Sequence, residues 1–171
     1  MQMSQVQAPS AHHDLSHRLG ELLRIGVALS KERDINRLLE AILIAAKDIT
    51  NADGGTLYRM SDDQALRFEI MRNDTLGIAM GGTSGVDIPF YPVNLFDKDG
   101  QPINSMVAAY AVHHDRSVNV ADAYTEAGFD FSGTKNFDKK TGYRSTSFLT
   151  VPMKNHENEI IGVLQLINAK D

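Results

Sequence analysis

Two apolar runs near the end of the chain constrain the fold most strongly. Phe148 to Met153 and Ile160 to Ile167 each have the length of a strand, and the polar segment 154–159 separates them. Apolar runs bounded by turn residues are typical of strands buried on both faces. The sequence therefore predicts a hairpin of central, largely buried strands, around which the rest of a sheet must assemble.

Helical periodicity dominates the first part of the chain. Apolar residues recur at helical spacing from Leu15 to Leu29 and again from Ile35 to Ile49. Asp34 is placed as the N-cap of the second helix and Asn51 lies near its end. Residues 1–13 are polar and lack periodicity, so we expect a flexible leader there and a single domain over residues 14–171.

Shorter elements are predicted between these two regions. Thr56 to Met60 and Leu66 to Ile70 alternate in polarity and predict two antiparallel strands. The other expectations, in chain order, are a mobile glycine-rich loop at Asn73 to Gly85, a strand at Ile88 to Leu95, a helix capped by Asn104-Ser105 at Met106 to His113, a strand at Ser117 to Val120, a helix opening at Asp122 and a covering loop at Gly128 to Gly142. This order predicts an α+β fold: an antiparallel sheet with long helices on one face and short helices and loops covering a pocket on the other.

Composition excludes several classes of function. The chain has 171 residues and no Cys, which excludes thiolate metal sites, iron–sulfur clusters and thiol nucleophiles. Its formal charge of −5 provides no basic surface, so nucleic acid is disfavoured as a partner. No apolar run approaches the ~20 residues that span a bilayer and no signal pattern is seen, so we expect no membrane partner and a cytoplasmic location.

The motifs that could carry chemistry are better explained as local structure. His113-His114-Asp115 could suggest a metal site, but neighbouring helical residues point in different directions, which favours a solvated helix end; His12-His13-Asp14 is read in the same way. Asp97 to Gly100 resembles the start of a calcium loop, yet Pro102 stands where glycine is required, so a turn is favoured. Gly81 to Gly85 lacks the Lys of a phosphate-binding loop. We therefore predict no catalytic residues and no metal.

A few polar residues remain as candidates for binding. Asp138, Thr141 and Ser145 precede a central strand, where they form either a solvated loop or part of a pocket lining. Gln165 interrupts the apolar run of the last strand. An unpaired buried amide costs about 1–3 kcal/mol, so Gln165 is expected to have a partner or a ligand.

Four segments carry a family resemblance. Residues 118–124 (VNVADAY), 141–145 (TGYRS), 151–155 (VPMKN) and 161–168 (IGVLQLIN) together resemble a GAF domain. The similarity runs from about Leu15 to Lys170 and is strongest to the GAF domains of cyclic-nucleotide phosphodiesterases, adenylate cyclases and bacterial signalling proteins. It implies a six-stranded antiparallel sheet and a non-catalytic sensory module. Such a module often forms a homodimer through its helices and controls an output domain in cis.

The resemblance also implies a ligand, cAMP or cGMP, and a set of binding residues. That set comprises Thr56, Arg72, Asn73, Val107, Ala108, Asp138, Thr141, Ser145 and Gln165. Val107 and Ala108 would offer backbone amides to the phosphate. Gln165 replaces a Glu of some relatives and Arg72-Asn73 replaces Phe-Asp, which leaves the choice of base open. The family's final helix is absent after Asp171, so we expect a domain cut from a larger protein.

Two functional hypotheses follow, from different classes. The first is a regulatory domain that binds a small molecule, with a cyclic nucleotide as first candidate. The second is a ligand-free dimerisation module whose pocket is filled by Phe129, Phe131 and Phe137. An enzyme is the least favoured class. Relatives that attach a pigment to Cys, or reduce methionine sulfoxide with Cys, are excluded by composition.

Overall fold

Helix α1 (Ile35–Thr50) forms where the periodicity predicts it. The carboxylate of Asp34 accepts hydrogen bonds from the amides of Asn36 and Arg37, at 2.9 and 3.4 Å, and Asn51 ends the helix in a left-handed conformation. The computed structural model describes residues 34–170. The leader and the helix predicted over Leu15 to Leu29 lie outside the described residues.

One antiparallel sheet forms the centre of the domain. Six strands follow the order β3-β2-β1-β7-β6-β5, and β4 pairs with β2. Their bounds are β1 (Ala52–Met60), β2 (Ala65–Asn73), β3 (Ile78–Gly81), β4 (Val93–Asn94), β5 (Val118–Val120), β6 (Phe148–Lys154) and β7 (Ile160–Ala169). The predicted terminal hairpin is confirmed, because β6 pairs with β7 and β7 lies beside β1.

Three strand predictions are corrected by the structure. β1 begins at Ala52, four residues before the predicted alternation, because the glycines at 54 and 55 hide the pattern. β3 lies inside the segment predicted as a mobile loop. The strand predicted over Ile88 to Leu95 shrinks to two residues, since Pro89 and Pro92 have no N–H for a ladder.

Two shorter helices, α2 (Val107–His114) and α3 (Ser132–Thr141), complete the described part. α2 begins one residue later than predicted, and its N-cap Met106 makes no side-chain cap bond. The helix predicted at Asp122 is a turn: the Asp122 carboxylate accepts the Tyr124 amide at 2.9 Å, which closes the chain locally. α3 instead lies within the predicted covering loop. Among α1, α2 and α3, none is long and apolar enough to cross a membrane.

The apolar core is divided between the two faces of the sheet. On one face α1 packs Leu39 and Leu43 against Leu57, Ile70 and Leu166. The opposite face carries two further clusters, one around Tyr58, Leu66, Leu95, Ala109 and Val163, and one around Val107, Val120, Phe131 and Phe148. The predicted α+β fold, with a long helix on one face and short helices on the other, is confirmed.

The first prediction concerns the packing of α1. Leu43 is fully buried, so Leu43→Ala should lower the free energy of unfolding by about 2–5 kcal/mol through lost burial and the cavity left behind. The neighbouring Ile44 is 41% exposed and serves as the control, with an expected change within about 0.5 kcal/mol for Ile44→Ala. Urea unfolding followed by circular dichroism measures both. Equal losses would show that α1 does not pack on the sheet through Leu43.

Candidate functional site

A cavity of about 500 Å³ lies against the face of the sheet opposite α1. The walls come from β1, β2 and β7, from α3, and from residues 90–94, which we call the strap together with residues 86–89. Most wall residues are apolar or aromatic. The polar ones are Thr56, Asn94, Thr134, Ser145 and Gln165, and none of the lining residues in the described chain is charged. A volume in this range accommodates a small organic ligand.

Strand alternation decides which residues reach this cavity. Successive side chains of a strand point to opposite faces. Thr56 and Tyr58 of β1 therefore line the cavity, while Leu57 packs towards α1. Thr56 pairs with Gln165 in register, which brings these two predicted residues together on the cavity side.

The amide of Gln165 is paired within the protein. Its Nε2 donates to Thr150 Oγ1 at 3.0 Å, and the Tyr58 hydroxyl donates to its Oε1 at 3.4 Å. Burial raises the pKa of Tyr58, which keeps that hydroxyl protonated. The expectation that Gln165 has a partner is confirmed, and the amide also lines the cavity.

Asp138 lies behind the cavity wall. It is buried on α3, where Oδ2 accepts the Ser145 amide at 2.8 Å and the Tyr124 hydroxyl at 2.5 Å, and Oδ1 accepts the Ser145 hydroxyl at 2.8 Å. The hydrogen bond to Asp138 raises the pKa of Tyr124. Ser145 borders the cavity, so Asp138 acts on the wall through Ser145 and fastens α3 to the segment that enters β6.

Thr141 is exposed at the end of α3. Its hydroxyl donates to the Phe137 carbonyl at 2.8 Å and accepts the Tyr143 amide at 3.3 Å. These bonds close the last turn of the helix. The structure does not bring Thr141 to the cavity wall.

Arg72 and Asn73 lie outside the cavity lining. Met71 lines the cavity, so alternation directs Arg72 to the other face, where it pairs with Glu40 of α1. Glu40 also accepts the Thr83 hydroxyl at 2.5 Å. Burial raises the pKa of Glu40, but the bonds from Thr83 and Arg72 outweigh it, so the pKa lies below its ordinary value of 4.5. Asn73 is buried at the end of β2, where its Oδ1 accepts the Leu76 amide at 2.9 Å.

Val107 and Ala108 form the first turn of α2. Their side chains are buried in the two clusters below the sheet, away from the cavity lining. Met106, the N-cap of α2, does line the cavity, which places the start of this helix at the wall. Because no side chain caps α2, its first amides are available to an acceptor.

Two of the rejected motifs are local structure, while His12-His13-Asp14 lies outside the described residues. Asp97 Oδ1 accepts the amides of Asp99 and Gln101, both at 2.9 Å, which confirms the predicted turn. His113 lies 2.6 Å from the Leu95 carbonyl, and His114 contacts Asn104. Within residues 34–170 no group of three or more His, Asp or Glu side chains could hold a metal.

A family model described as GAF domain matches residues 34–171. The chain belongs to the GAF-domain family. The earlier resemblance is thereby confirmed, and the sensory or regulatory role typical of this family is established at that coarse level. The match spans every strand and helix that forms the cavity.

Sequence relatives and solved structures agree with this assignment. A cGMP-specific 3',5'-cyclic phosphodiesterase of Drosophila ananassae is 30% identical over 148 residues, 82% of this chain and 11% of that protein. The GAF domain therefore spans about a tenth of the length of this relative. The GAF domain from an Acinetobacter phosphoenolpyruvate-protein phosphotransferase superposes with a TM-score of 0.61 at 15% identity, covering 90% of this chain and 78% of that one. The GAF domain from a phosphoenolpyruvate-protein phosphotransferase of Coxiella burnetii superposes with a TM-score of 0.64 at 13% identity, covering 91% of this chain and 79% of that one.

Aromatic wall residues are the part of the site that sequence reasoning missed. Phe68 and Met71 both line the cavity because the β1–β2 register shifts between Leu57 and Tyr58, an irregularity that strict alternation along β2 does not predict. Phe90 and Tyr91 could not be predicted either, because the strap has no regular periodicity. Phe137 was considered as a filler of the pocket, and it lies in the wall.

A second polar network joins the end of the sheet to the segment after α3. The Tyr143 hydroxyl donates to Asp53 at 2.5 Å and accepts from Asn168 at 2.9 Å, and Lys170 lies 3.1 Å from Asp53. Burial and the bond to Asp53 raise the pKa of Tyr143 to about 12. Burial also raises the pKa of Asp53, but Tyr143, Thr75 and Lys170 outweigh it and lower the pKa overall. These hydrogen bonds hold the segment that follows α3 against β1 and β7.

The second prediction concerns the ionised Glu40. Because its folded pKa lies below 4.5, its contribution to stability is present above pH 4.5 and is lost as pH falls through the folded pKa. Glu40→Gln should lower the free energy of unfolding by about 1–3 kcal/mol at pH 7, and the difference from the unmodified domain should shrink below pH 4. Urea unfolding across this pH range measures the difference.

Glu157→Gln is the matched control, since Glu157 lies in the exposed β6–β7 turn. It should change stability little at either pH. A Glu40→Gln deficit that stays constant down to pH 2.5 would show that the charge of Glu40 does not stabilise the fold.

Proposed function

We propose that this GAF domain is a non-catalytic regulatory module that binds a cyclic nucleotide, cAMP or cGMP, and controls an output domain in the same polypeptide. The observation that carries the proposal is the 500 Å³ cavity whose wall includes the N-cap of α2. The name of the phosphodiesterase relatives supports the ligand class. A phosphodiesterase, a cyclase or another signal transducer would suit the output domain.

The phosphate is assigned to the start of α2. The amides of Val107 and Ala108 and the positive end of the helix dipole can bind an anion without a cationic side chain. The phosphate of a cyclic nucleotide carries a single charge. The described lining carries no charged side chain, which matches that single charge better than the double charge of a monophosphate.

The base is assigned to the polar edge formed by Thr56, Ser145 and Gln165. An amide can donate or accept, so Gln165 can serve either purine after exchanging its bond to Thr150 for one to the ligand. Asp138 and Thr141 then act through α3, and Arg72 and Asn73 act through the far end of β2. The proposed response is a shift in the positions of α3 and α1, within a cytoplasmic homodimer, set by the ligand's differential affinity.

A ligand-free dimerisation module requires the three phenylalanines to fill the pocket. Phe131 packs on Phe148 with ring centroids 5.2 Å apart, and Phe129 packs on Tyr110 at 5.3 Å. Phe137 stands in the wall beside the remaining volume. This arrangement favours a binding domain over the ligand-free alternative.

The third prediction tests the cavity as the binding site. Isothermal titration should detect cGMP or cAMP binding, and Thr56→Val should weaken it roughly 3- to 10-fold, because one hydrogen bond is lost without a change of shape. Thr125→Val is the control, since Thr125 is exposed on the turn that follows β5. A folded domain that gives no heat with either nucleotide would contradict the proposal and favour the dimerisation module.

The fourth prediction tests the single charge. At pH 7.5 the 5'-monophosphate is a dianion, since its second pKa is about 6. It should bind more weakly than the cyclic nucleotide of the same base by about 10-fold or more, because no cationic side chain offsets the second charge. The difference in affinity between the two nucleotides should become smaller at pH 5.5, where the monoanion of the 5'-monophosphate is populated. Equal affinities at pH 7.5 would show that the anion site is not the uncharged one assigned to α2.

A further inference from the structure

Aromatic rings from three separate elements meet at the mouth of the cavity. Phe68 of β2 contacts Phe90 of the strap with centroids 5.5 Å apart, and Phe90 contacts Phe137 of α3 at 6.3 Å, edge to face. Each of these rings already has an aromatic partner, and all three line the cavity. These two contacts join β2, the strap and α3 at the mouth, and Phe90 remains 40% exposed.

Tyr91 differs from these rings in one respect. It lines the cavity, yet it is 94% exposed, whereas the next most exposed large apolar side chain of residues 34–170, Ile49, is 53% exposed. No aromatic ring in this part of the chain packs against Tyr91. An amphipathic ring held in water at the rim of an apolar cavity is typical of a binding surface whose partner is absent.

The strap presents this ring on a stiff backbone. Pro89 and Pro92 fix their own φ angles, and Pro92 restricts Tyr91 to extended conformations. Little backbone entropy is therefore lost when the ring closes over a ligand. The hydroxyl can stay in water while the ring face covers the mouth.

The side chains that line the cavity determine which kind of ligand fits it. Since the described lining carries no charge, recognition depends on ring faces together with the hydroxyl and amide groups of Thr56, Ser145 and Gln165. We propose that Tyr91 is a specificity-determining residue that stacks on a flat heteroaromatic ring of the ligand. This inference builds on the proposed function, in which that ring is the purine.

The experiment compares three substitutions of one exposed residue. Tyr91→Ala should weaken cGMP or cAMP binding roughly 5- to 150-fold, the range found when a base loses an aromatic platform. Tyr91→Phe keeps the ring and should bind as the unmodified domain does, while Tyr91→Leu keeps an apolar cover without a π face and should behave like Tyr91→Ala. Because Tyr91 is exposed, the melting temperature should be the same in all variants.

Fluorescence gives a direct readout of stacking. The chain contains no Trp, so the Tyr91→Trp variant carries a single indole at the mouth. Its emission should be quenched by cGMP, by cAMP and by adenosine, which has the flat ring without a phosphate. The Val86→Trp control lies on the same strap, exposed and outside the cavity lining, and its emission should not change.

The outcomes separate this inference from the proposed function. Unchanged cyclic-nucleotide affinity in Tyr91→Ala would overturn the stacking role and leave the nucleotide site standing. Binding of adenosine that depends on Tyr91, with no binding of cGMP or cAMP, would support stacking and overturn the nucleotide. Ribose 5-phosphate binding as tightly as cGMP would overturn stacking, and a domain that binds none of these probes would overturn both.

Discussion

The contact between α1 and the sheet depends on a missing side chain. A Cβ atom at Gly55 would lie 2.7 Å from Leu43 Cδ1 and 3.2 Å from the Gln165 carbonyl oxygen, so a larger residue here would displace Leu43. Leu43 fills that position and is fully buried. With α1 covering one face of the sheet, the other face is left to α2, α3 and the strap, which are shorter and less regular. The cavity exists because these elements cannot cover the second face as completely as α1 covers the first.

Both irregular walls of the cavity are held by buried carboxylates outside it. Glu40 on α1 binds Thr83, and the chain runs from there directly into the strap. Asp138 on α3 binds Ser145 and Tyr124. The strap is thus tied to the opposite face of the sheet, and α3 is tied to the entry of β6. The hydrogen bond between Glu40 and Thr83 thus connects the segment leading to the cavity wall with the helix that covers the opposite face.

The regular elements of the fold could be predicted from the sequence, whereas much of the candidate site could not. The difference has physical reasons. The strands of the terminal hairpin are continuous apolar runs, and α1 has apolar residues at helical spacing along its whole length. Such long patterns predict secondary structure well. The strap has no period, and α3 is a polar helix held by tertiary contacts. The family resemblance assigns Thr56 and Gln165 to one pocket, and the β1–β7 register brings them together at the cavity. Arg72 was assigned to the pocket by resemblance, yet its neighbour Met71 takes that face, since adjacent residues of a strand point to opposite sides.

The separation of wall and ties has a consequence for how the domain could signal. In the proposed function, the residues that face the cavity set which ligand is bound, because they contact its ring and its polar edge. Glu40 and Asp138 do not line the cavity, so they influence the ligand through the free energy of moving the strap and α3. A ligand shifts a conformational equilibrium only by its differential affinity for the two states. In the proposed function that difference would arise from movement of the strap and α3, and the hydrogen bonds of Glu40 and Asp138 would set the free energy that the movement requires.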